Sequence, residues 1–171
     1  MDTHDKPPQR RVGYRDRLTY RLLVLSNTLG KGAVRLYAGQ YGIPLAQWRL
    51  LVSIALEGPA SVSELAEMLA TDKGWVSRAA AALAEKGYLV GLPDPNHARR
   101  VILKLTPKGN ALYAKIQPAW SRRQEQLVSV LDPQEQAQLD VILHKLQRQA
   151  ELMLHDAAEV AAASASAGRG R

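Results

Sequence analysis

The feature that most constrains this chain is a pair of short amphipathic helices predicted between Ser61 and Gly87. Ser61 and Glu64 have the spacing of a capping box, in which each side chain bonds the other residue's backbone N–H at the start of a helix. Thr71 or Asp72 can cap a second helix, and Gly87 can end it. Two such helices joined by a tight turn predict a helix-turn-helix, whose second helix can enter the major groove of DNA.

The two faces of the second helix differ in character. Val76, Ala80 and Leu83 recur at the helical period, so we expect them to face a core. The outward positions are small or polar apart from one arginine and one tryptophan: Gly74, Trp75, Ser77, Arg78 and Ala81. Small residues let a backbone approach the bases, and an arginine can donate two hydrogen bonds to a guanine edge. A plain helical hairpin in a bundle is the open alternative.

A β-hairpin is predicted directly after the second helix. Two β-prone runs, 88–92 and 101–105, enclose a polar turn that runs from Pro93 to Arg100. A hairpin in this position is typical of the wing of a winged helix-turn-helix, and Arg99 and Arg100 would reach the DNA backbone or minor groove. The alternative is that both arginines are solvated charges on an exposed hairpin.

Amphipathic helices are predicted on both sides of this central segment. The pattern is helical over about 14–41 and 45–57, and again after Thr106, with a kink expected near Pro118. Asp132 and Glu135 begin the last helix with a second capping box. The apolar stripes of the terminal helices exceed what the small central lobe can cover, so we expect a second copy of the chain to cover them.

The predicted fold class is therefore mainly α (α+β), a winged helix-turn-helix with long terminal dimerisation helices. The expected parts are a flexible basic arm, 1–13, a helical dimerisation region, 14–44 and 107–155, a DNA-binding domain, 45–106, and a disordered tail, 156–171.

Composition limits the chemistry. A net charge of +7 suits a polyanionic partner, and the absence of cysteine excludes disulfides, cysteine zinc sites and thiol switches. No signal peptide or apolar span is visible, so a cytoplasmic location is expected. Asp140 with His144 and Glu151 with His155 offer only two ligands each, which favours a solvated helix face over a metal site. No nucleophile–base pair or phosphate loop indicates an enzyme or a cofactor.

Several motifs, in this order and spacing, resemble the MarR family of bacterial winged helix-turn-helix regulators over roughly residues 15–150. They are LAQWRLL at 45–51, GPASVSELAEML at 58–69, DKGWVSR at 72–78, LAEKGYL at 83–89, DPNHARRVILKLTPKG at 94–109 and LDPQE at 131–135. The resemblance implies a homodimer that binds double-stranded DNA at a pseudo-palindromic operator.

The resemblance also implies roles for individual residues. Ser77 and Arg78 match the recognition-helix positions, Arg99 matches the wing-tip arginine, and Lys73 would lie by a phosphate. Trp75 would lie against the DNA backbone or pack on the helix flank. The full set of predicted DNA-binding residues is Ser61, Ser63, Thr71, Lys73, Gly74, Trp75, Ser77, Arg78, His97, Arg99 and Arg100. His97 stands where the family commonly has an aspartate, and it cannot pair with Arg99 as that aspartate could.

Many family members release DNA when a phenol or an aromatic acid binds. By this resemblance, an aromatic acid, phenol or aromatic thioester could be bound by Tyr37, Tyr41, Trp48, Arg49, Tyr113 and Trp120. The alternative is that these are core and surface residues. The chain is thus predicted to be a ligand-responsive repressor. The competing hypothesis is a helical interaction module whose basic surface binds an acidic protein without sequence-specific DNA binding.

Overall fold

The structure, a computed structural model, describes residues 13–168, and the side chains of Ala98, Arg99 and residues 158–168 lie outside that description. A 3₁₀ turn at Tyr14–Asp16 comes first. The elements that follow are α1 (Leu18–Tyr41), α2 (Leu45–Glu57), β1 (Ala60–Ser61), α3 (Val62–Met68), α4 (Lys73–Glu85), β2 (Leu89–Asp94), β3 (His97–Leu105), α5 (Pro107–Val128) and α6 (Pro133–Gly168). The mainly helical class and the helix–hairpin–helix order are as predicted.

The chain divides into two compact units, Met1–Gln117 and Pro118–Arg171. The first unit holds the helix-turn-helix, the sheet and α1, and the second holds α6. The division falls within α5, at the proline inside that helix. The predicted arm, apart from Gly13, lies outside the described residues.

Local signals set the helix boundaries in the first unit. The capping box of α3 is formed, with Ser61 N donating to Glu64 Oε2 at 2.8 Å and Glu64 N donating to Ser61 Oγ at 3.4 Å. Thr106 caps α5 by accepting a hydrogen bond from Gly109 N at 3.1 Å. A Cβ at Gly109 would overlap the carbonyl oxygen of Tyr88, so the first turn of α5 packs closely on the backbone that leads into β2. Leucines and small residues fill the core: Leu50, Leu51, Leu65, Leu83 and Val76 are fully buried.

The sheet is antiparallel with the order β1-β3-β2. Strand β1 was not predicted, because it has only two residues and exists through its pairing with Ile102 and Leu103. The hairpin turn is shorter than the predicted 93–100: the strands continue to Asp94 and resume at His97. Asp94 Oδ1 accepts a hydrogen bond from Asn96 N at 2.8 Å, which stabilises this tight turn. Arg100 therefore lies within β3 and not in the turn.

The second unit is dominated by α6. Its predicted capping box is formed, with Asp132 N donating to Glu135 Oε2 at 2.9 Å and Glu135 N donating to Asp132 Oδ1 at 2.8 Å. The helix continues to Gly168 and so differs from the disordered tail expected from 156. Alanine has the highest helix propensity, and this segment lacks proline and glycine until Gly168. Residues 169–171 lie outside the described residues.

Both terminal helices expose large apolar side chains in the single chain. On α1 these are Leu18, Leu22, Leu23, Val24, Leu25 and Val34, and on α6 they are Leu139, Val141, Ile142, Leu143, Leu152, Met153 and Leu154. None of the helices in the described part of the chain combines the length and apolarity that a membrane span requires.

Candidate nucleic-acid interface

Helix α4 presents a small polar surface to solvent. Val76 and Leu83 are fully buried and Ala80 is nearly so, whereas Gly74, Ser77 and Arg78 are exposed. A Cβ at Gly74 would lie 3.2 Å from Nη1 of Arg78. The guanidinium of Arg78 therefore lies beside the first turn of α4, where the missing side chain of Gly74 leaves room. The predicted inward face is confirmed, and the predicted outward positions are exposed except for Trp75, which is half-buried.

The start of α4 is fixed by Asp72, the second of the two predicted caps. Asp72 Oδ1 accepts a hydrogen bond from Trp75 N at 2.7 Å. Thr71 is half-buried in the preceding turn, where Ala70 adopts a left-handed φ of 47°. Lys73, the first helical residue, is exposed. The cap thus orders the first turn of α4, and the exposed residues of that turn remain accessible to solvent.

Trp75 packs on the flank of the helix pair. It is half-buried, and the guanidinium carbon of Arg49 on α2 lies 5.7 Å from the centroid of its ring. This distance permits a cation–π interaction. The observed geometry favours the packing alternative for Trp75. It also places Arg49, predicted as a ligand residue, beside α4.

The start of α3 is occupied by its own capping interactions. Ser61 is 6% exposed, and its hydroxyl donates to Glu64 Oε2 at 2.9 Å, so little of it is left for DNA. Ser63 is half-exposed. Two sets of hydrogen bonds lower the pKa of the Glu64 carboxyl from 4.5 to about 2. The bond from Arg100 has the largest effect, and those from Ser61 come next. The carboxyl is therefore charged at neutral pH.

The wing consists of β2 and β3, residues 89–105. His97 is exposed beside the turn, and the side chain of Arg99, the predicted wing-tip contact, lies outside the description. Arg100 does not extend to solvent as a free cation. It forms an ion pair with Glu64 and lies 3.4 Å from Asp94. The sequence suggested neither partner, because both contacts depend on how the hairpin folds back.

The predicted ligand residues fall into different environments. The rings of Tyr37 and Trp48 lie 5.0 Å apart, and those of Trp48 and Tyr113 lie 6.1 Å apart and are stacked. Tyr37 and Trp48 are 3% and 2% exposed, so they fill the core of the first unit. Tyr41 and Tyr113 are half-buried. Trp120 belongs to the second unit.

The described part of the chain holds no group of three or more potential metal ligands. The ring nitrogen Nδ1 of His144 lies 3.6 Å from the Asp140 carboxylate, and both side chains are exposed on α6.

Comparison with known proteins identifies the family. A model described as MarR family matches residues 41–100. The multiple antibiotic resistance protein MarR of Salmonella typhimurium is 32% identical over 128 residues, which cover 74% of this chain and 88% of that protein. The chain belongs to the MarR family.

Solved structures of MarR proteins share this fold. A MarR/EmrR family regulator from Acinetobacter sp. ADP1 aligns with a TM-score of 0.74 and 27% identity, over 78% of this chain and 94% of that one. A mutant MarR from E. coli, in complex with operator DNA, aligns with a TM-score of 0.63 and 30% identity, over 74% of this chain and 91% of that one. The MarR-family winged helix-turn-helix is thus the fold of this chain, and its relatives are transcriptional regulators and not enzymes.

Proposed function

We propose that this MarR-family protein is a ligand-responsive bacterial repressor that binds a pseudo-palindromic operator as a homodimer, through α4 and the wing. The observation that carries the proposal is the exposed surface of α4. Gly74, Ser77 and Arg78 face solvent together on a helix whose opposite side is buried and whose start is capped. That arrangement suits insertion into a major groove. Operator DNA as the target implies the bacterial cytoplasm as the place of action.

The MarR of E. coli, whose structure contains operator DNA, supports this function. It shares 30% identity with this chain, within an alignment that covers 74% of it. The net charge of +7 favours attraction to the phosphates of any duplex, which supplies affinity without sequence preference. Sequence preference would then come from Arg78 and its neighbours on α4.

The homodimer is inferred from unmet burial. The apolar side chains of α6, Leu139 and Leu143 among them, are exposed in the single chain, as are those of α1. Burial of apolar surface is worth about 25 cal/mol per Å². A second copy offers the same surface, as symmetric dimers require. Two copies would present two α4 helices to a duplex with two half-sites.

The effector is proposed to be an aromatic acid, a phenol or an aromatic thioester. Tyr41, Tyr113 and Arg49 are the predicted ligand residues of the first unit that keep some exposure, whereas Tyr37 and Trp48 are committed to the core. Such an effector can weaken DNA binding only by binding a DNA-free arrangement of the dimer more tightly. A panel of these compounds, titrated against the protein–DNA complex, tests this part.

Selection and substitution together test the function. A duplex is selected from a random-sequence pool by the wild-type protein, and binding to it is compared with binding to a shuffled duplex of the same length. Arg78→Ala should lower this specificity ratio by about 1–3 kcal/mol, the value of one good base contact. Lys115→Ala removes the same charge from an exposed position on α5 and should leave the ratio unchanged.

Two outcomes count against the proposal. An unchanged ratio in Arg78→Ala would remove that residue from base recognition. Failure of the wild-type protein to select any consensus would favour the interaction module, whose basic surface binds DNA without preference.

A further inference from the structure

Arg100, on strand β3, connects the wing to the start of helix α3. Its Nη2 forms an ion pair with Oε1 of Glu64, and its Nε lies 3.4 Å from Oδ2 of Asp94. Nε is buried and donates no hydrogen bond to a described atom, so the attraction to Asp94 offsets part of the cost of its burial. One guanidinium thus lies between an acid of the helix-turn-helix and an acid of the hairpin.

The second oxygen of each acid is also in use. Glu64 Oε2 accepts hydrogen bonds from the backbone N–H and the hydroxyl of Ser61, at 2.8 and 2.9 Å. Asp94 Oδ1 accepts one from the backbone N–H of Asn96 in the hairpin turn, at 2.8 Å. A continuous series of polar contacts therefore runs from the N-cap of α3 to the tip of the wing.

Backbone pairing through β1 joins the wing to the helix-turn-helix at the base of the wing. Strand β1 pairs with β3 at Leu103 and Ile102, and Arg100 lies two residues nearer the turn. Closer to the tip, the pairing of β2 with β3 is irregular between Pro93 and Asp94. The contacts of Arg100 therefore act where described backbone pairing to the helix-turn-helix has ended.

We propose that Arg100 is a positioning residue that ties the wing to α3 through Glu64 and Asp94 and so sets where the wing meets DNA. The proposal rests on the proposed DNA-binding function. It replaces the prediction that Arg100 itself contacts DNA. We call the contacts of Arg100 with Glu64 and Asp94 the tie. Because the tie is present in the protein without DNA, the wing has less conformational freedom to lose when DNA binds.

Two pairs of variants isolate the tie. Glu64→Gln keeps an acceptor that suits a capping box and loses the charge that pairs with Arg100. Its control is Glu67→Gln, which removes the same charge from another exposed position on α3. Arg100→Met removes the tie from the other side, and Lys104→Met removes one exposed positive charge from the same strand as its control.

The first measurement needs no DNA. Hydrogen exchange is followed at the backbone amides of Asp94, Asn96 and His97. Glu64→Gln and Arg100→Met should each accelerate exchange about two- to fivefold, as expected for the loss of a partly exposed ion pair, and the double variant should exceed neither. The controls should leave exchange as in the wild type. An unchanged exchange rate in Glu64→Gln or Arg100→Met would refute the proposal that the tie holds the wing.

The second measurement is affinity for the selected duplex as a function of salt. General charge attraction predicts that loss of the acidic Glu64 strengthens DNA binding. If the tie positions the wing, the opposite is expected: Glu64→Gln weakens DNA binding about two- to fivefold, as Arg100→Met does. The control Glu67→Gln does not weaken it. Weaker binding in Arg100→Met alone, with the salt slope reduced by about 1, identifies a phosphate contact and overturns the proposal.

The two proposals fail separately. A wild-type protein that selects no duplex refutes the proposed function, while the exchange measurement still decides whether Arg100 holds the wing.

Discussion

Replacing Asp72, the N-cap of α4, should destabilise the protein and reduce its discrimination between DNA sequences. Asp72 Oδ1 accepts a hydrogen bond of 2.7 Å from Trp75 N, and the exposed Lys73 and Gly74 follow directly. Loss of such a cap costs about 1 kcal/mol. Asparagine caps helices as well as aspartate does, so Asp72→Asn keeps the hydrogen bond and loses only the charge, which is worth about 0.3–1 kcal/mol at a helix N-terminus.

Urea denaturation, at one fixed protein concentration because a dimer is proposed, measures the difference. We expect the free energy of unfolding to fall in the order wild type, Asp72→Asn, Asp72→Ala, with about 1 kcal/mol between the two variants. The specificity ratio for the selected duplex should fall in Asp72→Ala only, because its first helical turn loses the cap that orders it.

Two results would refute this reasoning. Equal stability of the two variants would mean that the hydrogen bond to Trp75 does not hold the start of α4. Equal specificity ratios, despite a difference in stability, would mean that the first turn takes no part in reading the sequence.

Two further predictions concern Glu64 and Gly109. Because the folded pKa of Glu64 is lowered from 4.5 to about 2, its contribution to stability is present above pH 4.5 and is lost as the pH falls toward 2. When the carboxyl carbon signal of Glu64 is followed by NMR against pH, its titration should show no midpoint above pH 3. In Arg100→Met the titration midpoint should rise toward 4.5. An unchanged midpoint in that variant would contradict the contact between Arg100 and Glu64. Gly109→Ala should lower the free energy of unfolding by about 1–3 kcal/mol, since the new Cβ overlaps the Tyr88 carbonyl. Gly39→Ala, a helical position with open space, should not destabilise; equal denaturation midpoints for these two variants would contradict the close approach.

Features that depend on a few neighbouring residues could be predicted from the sequence. The pairs Ser61 with Glu64 and Asp132 with Glu135 marked helix starts because a capping box is local. The burial of Val76 and Leu83 followed from helical periodicity. The sequence predicts a shorter α6 than the structure shows, because a tail of alanine, serine and glycine is typical of disorder, whereas alanine also has the highest helix propensity.

Contacts between distant residues could not be read in this way. Strand β1 exists through its pairing with β3, about forty residues later in the chain. Arg49 meets Trp75, and Arg100 meets Glu64, because the fold brings separate elements together. A charged residue next to a turn is usually solvated, so the sequence favoured DNA or solvent as the partner of Arg100 over an acid of α3.

In the proposed complex, two copies of the exposed α4 surface contact the base pairs of one duplex. The most direct test is the selection from a random-sequence pool, with the sequence of the bound fraction as the measurement. We expect an inverted repeat whose half-site centres lie about 10 base pairs apart, since two-fold related helices enter successive major grooves about one helical turn apart. A single unrepeated half-site, or a bound fraction without any shared sequence, would contradict the proposed two-fold complex.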